Sequence, residues 1–434
     1  MKRKLQGLPQ QNRLTEMKAN VVHGDFNPCG GAERLSLTTM QALLQMGIDF
    51  DLTTLKSPDI PKLENSYGKN LVSVMKSINK INVINIIEEL QQQLEGAHKD
   101  YNYDITINTN GDAAPYYHPS FSKDNAITYC HFPSTKYHIE SENIDYLKTD
   151  LGMTESSNSF LDNKNYGDID KPENCKTKLQ FSRRKEYFEI LKYGYWNLMR
   201  NSTVITNSEF SRTTIVNAFG LDNIYILSPP LDIETFRNAA LMTNGDDERN
   251  DIILVISRIA PHKKVENAIK LAKILKDNNI GKGMKIVGNL YYYFFDYYSY
   301  LKQMVIRLGL TDYITFEINA SLDDLLSIIR ESRVYFHPMV GEHFGIAVLE
   351  AMAAGLIPVV PNEGGLTEFV PQKYHYNTIE QAAEIIMYIF NHLTKIETIK
   401  ISERISNSAN KFSNSHYIEQ FLTILNELIS RRSK

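Results

Sequence analysis

Short apolar runs alternate with amphipathic stretches along most of the chain. In the first half the runs predict strands at 20–25, 48–55, 69–75, 103–108, 126–131, 202–206 and 223–228. In the second half they recur at 251–257, 284–288, 313–318, 333–338 and 356–361. The intervening segments carry helical patterns, as in the run that ends at Gln45. Such alternation predicts an α/β protein with parallel sheets covered on both faces. Ser228-Pro229-Pro230-Leu231-Asp232 continues neither element type, so a hinge is expected there. Residues 141–178 are polar and rich in Asn, Asp and Lys, which predicts an exposed excursion that, directly after the 127–134 segment, is placed to act as a lid.

The length of 434 residues suits two domains of roughly two hundred residues each. A hydrophobic content of 42% is that of a globular chain, and 47 Lys and Arg against 51 Asp and Glu give a net charge of −4. No broad positive field invites nucleic acid. The three cysteines, Cys29, Cys130 and Cys175, are spaced for neither a zinc site nor a disulfide framework, which suits a reducing cytoplasm. No apolar run approaches the roughly twenty residues needed to span a bilayer, and the N-terminus lacks the apolar core of a signal peptide. A soluble or peripheral cytoplasmic protein is expected. Residues 1–18 carry Lys2, Arg3, Lys4, Arg13 and Lys18 against Glu16 alone; they are either a solvated tail or a contact with anionic lipid.

The most informative chemistry lies at Gly341-Glu342-His343-Phe344-Gly345-Ile346, which continues to Glu350 and Gly355. Val334-Tyr335-Phe336 reads as a buried strand, 341–345 as a loop, and 346–354 as a buried helix closed by Gly355. The first amides of that helix have no partner, and together with the helix dipole they favour an anion such as phosphate. Glu350, about one turn in, leans back toward that guest and is suited to ribose hydroxyls, while Glu342 faces the other end of the ligand. Alone, the segment is more often a buried helix flanked by two solvated glutamates.

Four further segments stand at strand ends. His23-Gly24-Asp25-Phe26-Asn27-Pro28-Cys29-Gly30-Gly31-Ala32-Glu33 places a glycine pair, Gly30 and Gly31, at a strand-to-helix turn, a nucleotide-loop pattern that is also an ordinary tight turn. Ile127-Thr128-Tyr129-Cys130-His131-Phe132-Pro133-Ser134 ends a strand in a histidine, either a satisfied polar residue or a site group. Ile252–Ile256 is a central parallel strand whose exit loop carries Arg258 and Lys263, a fork and a point charge for phosphate, or else two solvated cations. Asn362-Glu363-Gly364-Gly365-Leu366-Thr367-Glu368 is expected to shape the floor of a cleft. The aromatic run Tyr291–Phe295, continuing through Tyr297, Tyr298 and Tyr300, is expected to pack helices, with a lipid- or nucleotide-facing surface as the alternative.

In this order the segments resemble those of the retaining glycosyltransferases of family 4, which have the two-domain GT-B fold. Glu342 and Glu350 match the Glu-x7-Glu signature, Gly30-Gly31-Ala32-Glu33 the N-domain loop facing donor and acceptor, and His131 the N-domain histidine near the transferred sugar. Arg258 and Lys263 match Arg-x4-Lys-Gly, except that Lys264 stands where glycine usually sits.

The resemblance implies an N-terminal domain of residues 1–228, with 413–434 crossing back onto it, and a nucleotide-sugar domain of 229–412. The diphosphate would sit between Arg258, Lys263 and the loop His343-Phe344-Gly345-Ile346, and Glu350 would hold the ribose. Glu342 and His131 would be the catalytic pair, with retention by front-face substitution in which the leaving phosphate takes the acceptor's proton. Neither metal nor cofactor is implied. Two carboxylates around one helix start beside a phosphate site do not fit a glycosidase.

Tyr129–Thr135, the Glu-His-Phe-Gly-Ile form of the signature and Lys411-Phe412-Ser413 look most like the mannosyltransferases that extend lipid-linked oligosaccharides on the cytosolic membrane face. The expected partners are therefore a nucleotide sugar, GDP-mannose ahead of a UDP-sugar, and a glycan or polyprenyl-linked saccharide. A sugar-nucleotide epimerase or hydrolase of the same fold, and a non-catalytic binding protein, are the alternatives.

Overall fold

The computed structural model describes residues 17–85, 103–112, 125–143, 184–241 and 249–431. Most of the basic leader, most of the polar excursion and Cys175 lie outside the described residues. Two separate sheets carry the fold, both entirely parallel. The first contains β1 (Lys18–Val22), β2 (Asp49–Thr54), β3 (Ile81–Val83), β4 (Ile105–Asn108), β5 (Ala126–Tyr129), β6 (Thr203–Thr206) and β7 (Ile224–Ile226), in the order β3-β2-β1-β4-β5-β6-β7. The second contains β8 (Ile252–Ile256), β9 (Gly283–Gly288), β10 (Ile314–Ile318), β11 (Val334–Phe336), β12 (Ile357–Pro361) and β13 (His375–Tyr376), in the order β10-β9-β8-β11-β12-β13.

Both sheets reverse direction once. The reversal lies between β1 and β4 in the first, where Val22 pairs with Asn108, and between β8 and β11 in the second, where Ile253 pairs with Val334. In doubly wound sheets, ligands gather at the carboxyl ends beside such a switch point. These strands form because they are apolar on both faces: β5, β6, β11 and β12 are buried at every position.

One expectation fails at the sheet margins, and two strands there were not foreseen. Residues 69–75 are helical, as Lys69–Val72 followed by a 3-10 turn over Ser73–Ser77. Leu71, Val72, Val74 and Met75 are buried together, so the apolar run is one face of a coil rather than a strand. The true edge strand, β3, is short and largely exposed, and β13 is only two residues long, so neither carries an apolar run.

The helices that frame the site are α1 (Gly31–Gln45), α2 (Glu209–Phe219), α3 (Val265–Asp277), α4 (Ile346–Ala353) and α5 (Asn414–Arg431). The core of the second sheet runs from Leu231 to Phe412. The chain then returns: Tyr417, Ile418, Phe421, Ile424, Leu425 and Leu428 on one face of α5 are buried with the first sheet. There the Tyr417 and Thr39 hydroxyls are 2.8 Å apart. The outgoing and returning segments touch, with Leu231 bridging Ser413 and its amide donating to the Phe412 carbonyl at 2.8 Å. Among the described residues no helix is long and apolar enough to cross a membrane.

Candidate active site

The carboxyl ends of the two sheets enclose one cleft of about 1320 Å³. Gly30, Gly31, His131, Arg258, Lys263, Glu342, His343, Phe344, Gly345, Ile346 and Glu350 all line it, whereas the loop 362–368, expected at its floor, does not. A single small-molecule pocket occupies roughly 300–1,000 Å³, so this cleft is larger than one ordinary small-molecule site.

α4 opens at Gly345, whose φ of 92° is a left-handed conformation that favours glycine. A Cβ there would lie 2.1 Å from Leu366 Cδ2, so the missing side chain also admits the neighbouring loop. The amides of Val348 and Leu349 bond the Gly345 carbonyl, whereas those of Phe344, Gly345, Ile346 and Ala347 find no carbonyl among the described residues. These free donors point to an anion site at the helix start.

Lys263 does not stand free beside them. It closes the turn Pro261–Lys263 and donates to Glu342 Oε2 at 2.7 Å, with both side chains largely buried. His337 Nε2 lies 3.6 Å from the same oxygen. Burial raises the Glu342 carboxyl, but His337 and Lys263 outweigh it and hold it well below the usual carboxylate range. Lys263 thus neutralises Glu342 in this state, whereas Arg258, exposed in the cleft, has no side-chain hydrogen-bond partner among the described residues. Lys264, at φ 53°, takes up the left-handed turn that leads into α3 despite having a side chain.

Glu350 lines the cleft with no hydrogen bond to its carboxyl among the described residues. Burial lifts it to about 7, against a smaller opposing pull from Arg34. His131 behaves differently from a general base. Burial depresses it to about 4, and its Nε2–H donates to the Thr109 carbonyl at 3.3 Å, which leaves Nδ1 as an acceptor.

The two halves meet at the signature loop. The His343 ring stacks on Phe132 with centroids 3.7 Å apart and planes 3° from parallel. The Ser208 hydroxyl donates to the His343 carbonyl at 2.8 Å, and the Glu368 carboxylate accepts from the amides of Glu209 and Phe210 at the start of α2. The Gly31 position is filled from the other half, since a Cβ would lie 2.1 Å from Ile346 Cδ1. Gly31 therefore serves close approach of the two lobes, and Glu368 latches them together.

Sequence reasoning missed Arg34, Tyr67, Ser208 and His337. A strand-end histidine with a proline close behind is the pattern that flagged His131, and His337-Pro338 after β11 is a close variant of it. The aromatic run divides: Tyr297 caps α3 through the Val265 amide at 3.2 Å and Tyr298 packs on Phe316, but Tyr292, Tyr293 and Phe295 are exposed. Among the described residues no cluster of His, Cys, Asp and Glu is suited to a metal ion.

Residues 239–411 match the family described as glycosyl transferases group 1. This stretch is similar to a group 1 glycosyl transferase domain. Arg258, Lys263, Glu342 and Glu350 all lie within it. A GDP-Man:Man(3)GlcNAc(2)-PP-Dol alpha-1,2-mannosyltransferase of Dictyostelium discoideum is 28% identical over 268 residues, covering 56% of this chain and 52% of its own length. The human protein of the same name is 26% identical over 256 residues, covering 52% and 49%. The chain thus spans about half the length of the curated relatives it matches.

Among solved structures, a glycosyltransferase from Rickettsia africae ESF-5 is 16% identical with a TM-score of 0.63, covering 95% of this chain and 98% of that one. Anabaena HepE in complex with UDP and glucose is 17% identical with a TM-score of 0.62, covering 95% and 100%. These likenesses establish the GT-B fold, in which the matched stretch forms most of the second lobe.

Proposed function

We propose that the chain transfers mannose from GDP-mannose, with retention of configuration, to a lipid-linked saccharide. One observation carries this reading: an unpartnered arginine, four free amides and a ribose-height carboxyl converge in a cleft between the carboxyl ends of two parallel sheets. The names of the mannosyltransferases that match about half of the chain support the choice of donor and acceptor.

In this mechanism Arg258 and the amides of Phe344, Gly345 and Ile346 hold the diphosphate and stabilise its growing charge as the glycosidic bond breaks. Glu350 accepts hydrogen bonds from the ribose. Glu342 stays ionised at neutral pH, its charge balanced by Lys263, and orients the hexose hydroxyls beside the reacting carbon. His131, neutral at pH 7, offers Nδ1 to a sugar hydroxyl. The leaving phosphate oxygen takes the acceptor's proton on the face from which it departs. The hinge at 228–232 and the return at 413 divide the acceptor lobe from the donor lobe.

The test incubates the full chain with labelled GDP-mannose, UDP-glucose or UDP-N-acetylglucosamine, with and without a polyprenyl-diphosphate oligosaccharide. Acceptor-dependent transfer from GDP-mannose is expected. Equal donor consumption without acceptor would instead indicate a hydrolase or epimerase, and binding without turnover a non-catalytic protein.

A further inference from the structure

Arg34, on the first turn of α1, is only 6% exposed, yet it borders the cleft. Its guanidinium carbon sits 5.1 Å over the Tyr67 ring, and Tyr67 in turn donates its hydroxyl to the Gly30 carbonyl at 2.5 Å. The aromatic face thereby fixes the plane of the fork and ties it to the glycine pair. A guanidinium has five N–H donors, and among the described residues none of those on Arg34 finds an acceptor. Its donors face the cleft, where a ligand can supply the acceptors that the protein does not.

The position tells which group. Arg34 lies three residues beyond Gly31, the point where the N-terminal lobe meets Ile346 and the free amides at the start of α4. Glu350, across the cleft, feels the Arg34 charge but still titrates near 7, so the two do not form the tight ion pair that a purely structural contact would give. A planar fork with free donors matches a phosphoryl group through paired hydrogen bonds.

We propose that Arg34 binds the diphosphate of the nucleotide sugar from the N-terminal lobe, opposite Arg258, so that the leaving group is clamped by one arginine from each lobe. The assignment rests on the donor reading above. It makes lobe closure part of donor binding, because half of the clamp is absent until the lobes meet.

The experiment titrates the full-length chain with guanosine, GMP, GDP and UDP by calorimetry, comparing wild type with Arg34→Met, Arg34→Lys and Arg258→Ala. Arg34→Met keeps the stem over Tyr67 and is expected to weaken GDP and UDP roughly 10- to 100-fold, with guanosine affinity unchanged. Arg34→Lys, which keeps the charge but loses the fork, is expected to lose about fivefold for the diphosphates alone. Equal losses for guanosine and GDP in Arg34→Met, or wild-type GDP affinity in a variant where Arg258→Ala has lost it, overturns the role of Arg34 and leaves the donor reading standing. A wild-type chain that binds neither GDP nor UDP overturns both. If Arg34→Met does not fold, Arg34→Lys decides alone, and unchanged diphosphate affinity there ends the proposal.

Discussion

Replacing Glu350 by Gln isolates one buried charge. The carboxyl ordinarily titrates at 4.5 and is lifted to about 7 in the fold, chiefly by burial, with Arg34 pulling the other way. At about 1.4 kcal/mol for each pH unit, the ionised form destabilises the folded chain by roughly 3 kcal/mol. Below about pH 4.5 the group is protonated in both the folded and unfolded states and adds no pH dependence. Between 4.5 and 7 the unfolded chain has released the proton that the folded chain still holds, so stability falls as pH rises, and the full cost is present above 7.

Gln is neutral and nearly isosteric, so Glu350→Gln lacks this slope. Urea unfolding of both proteins at pH 5, 6, 7 and 8.5, read from the transition of the C-terminal lobe, should give near-equal stabilities at pH 5. At pH 8.5 the variant should be more stable by up to roughly 3 kcal/mol. Other titrating groups are common to both proteins and cancel in the difference. Because ribose hydroxyls donate to the ionised carboxylate, GDP affinity of the wild type should rise between pH 5.5 and 7.5, while that of the variant stays weaker and flat. Parallel stability curves across the whole range would refute the reasoning.

Three further outcomes are expected. Glu342→Gln removes the partner of Lys263; acceptor-dependent transfer should fall by roughly 100-fold or more while GDP affinity changes less than tenfold, as single-turnover kinetics and calorimetry would measure. Gly31→Ala places a Cβ against Ile346 and should lower transfer several-fold by holding the lobes apart, with Ile346→Ala restoring much of the loss in the double variant. Lys264→Gly relieves a left-handed backbone at φ 53° and should raise stability by about 1 kcal/mol, visible as a higher midpoint in thermal unfolding with kcat unchanged.

What the chain discloses by itself follows the physics of burial. β8 and β12 are near-continuous apolar runs because both faces of a central parallel strand are covered, so their places were legible. The margins were not. β3 is edge-exposed and only three residues long, and the buried face of 69–75 mimics a strand because its paired apolar positions fall close together. At the site, the strand-end positions of Arg258, Lys263 and Glu342 could be read from spacing, but the Lys263–Glu342 pairing required coordinates, since the two residues come from different loops. Gly31 was noticed as part of a nucleotide-loop glycine pair, whereas the neighbour that its missing side chain admits, Ile346, is 315 positions away in sequence. Arg34 adjoins the recognised motif and carries no signal of its own until Tyr67 is seen beneath it.

The bridge between Leu231 and Ser413 brings the two covalent links between the lobes side by side, like paired pins on one door. Rotation about that line needs torsion at only two neighbouring backbone points, and it moves the far rim most. On that rim, among the described residues, Phe132, Ser208 and Glu368 reach across by a ring stack and hydrogen bonds, beside the close approach of Gly31 to Ile346. Swinging open therefore breaks a handful of contacts and disturbs neither core, so cargo can enter and leave at every cycle while the buried layers on each side stay intact.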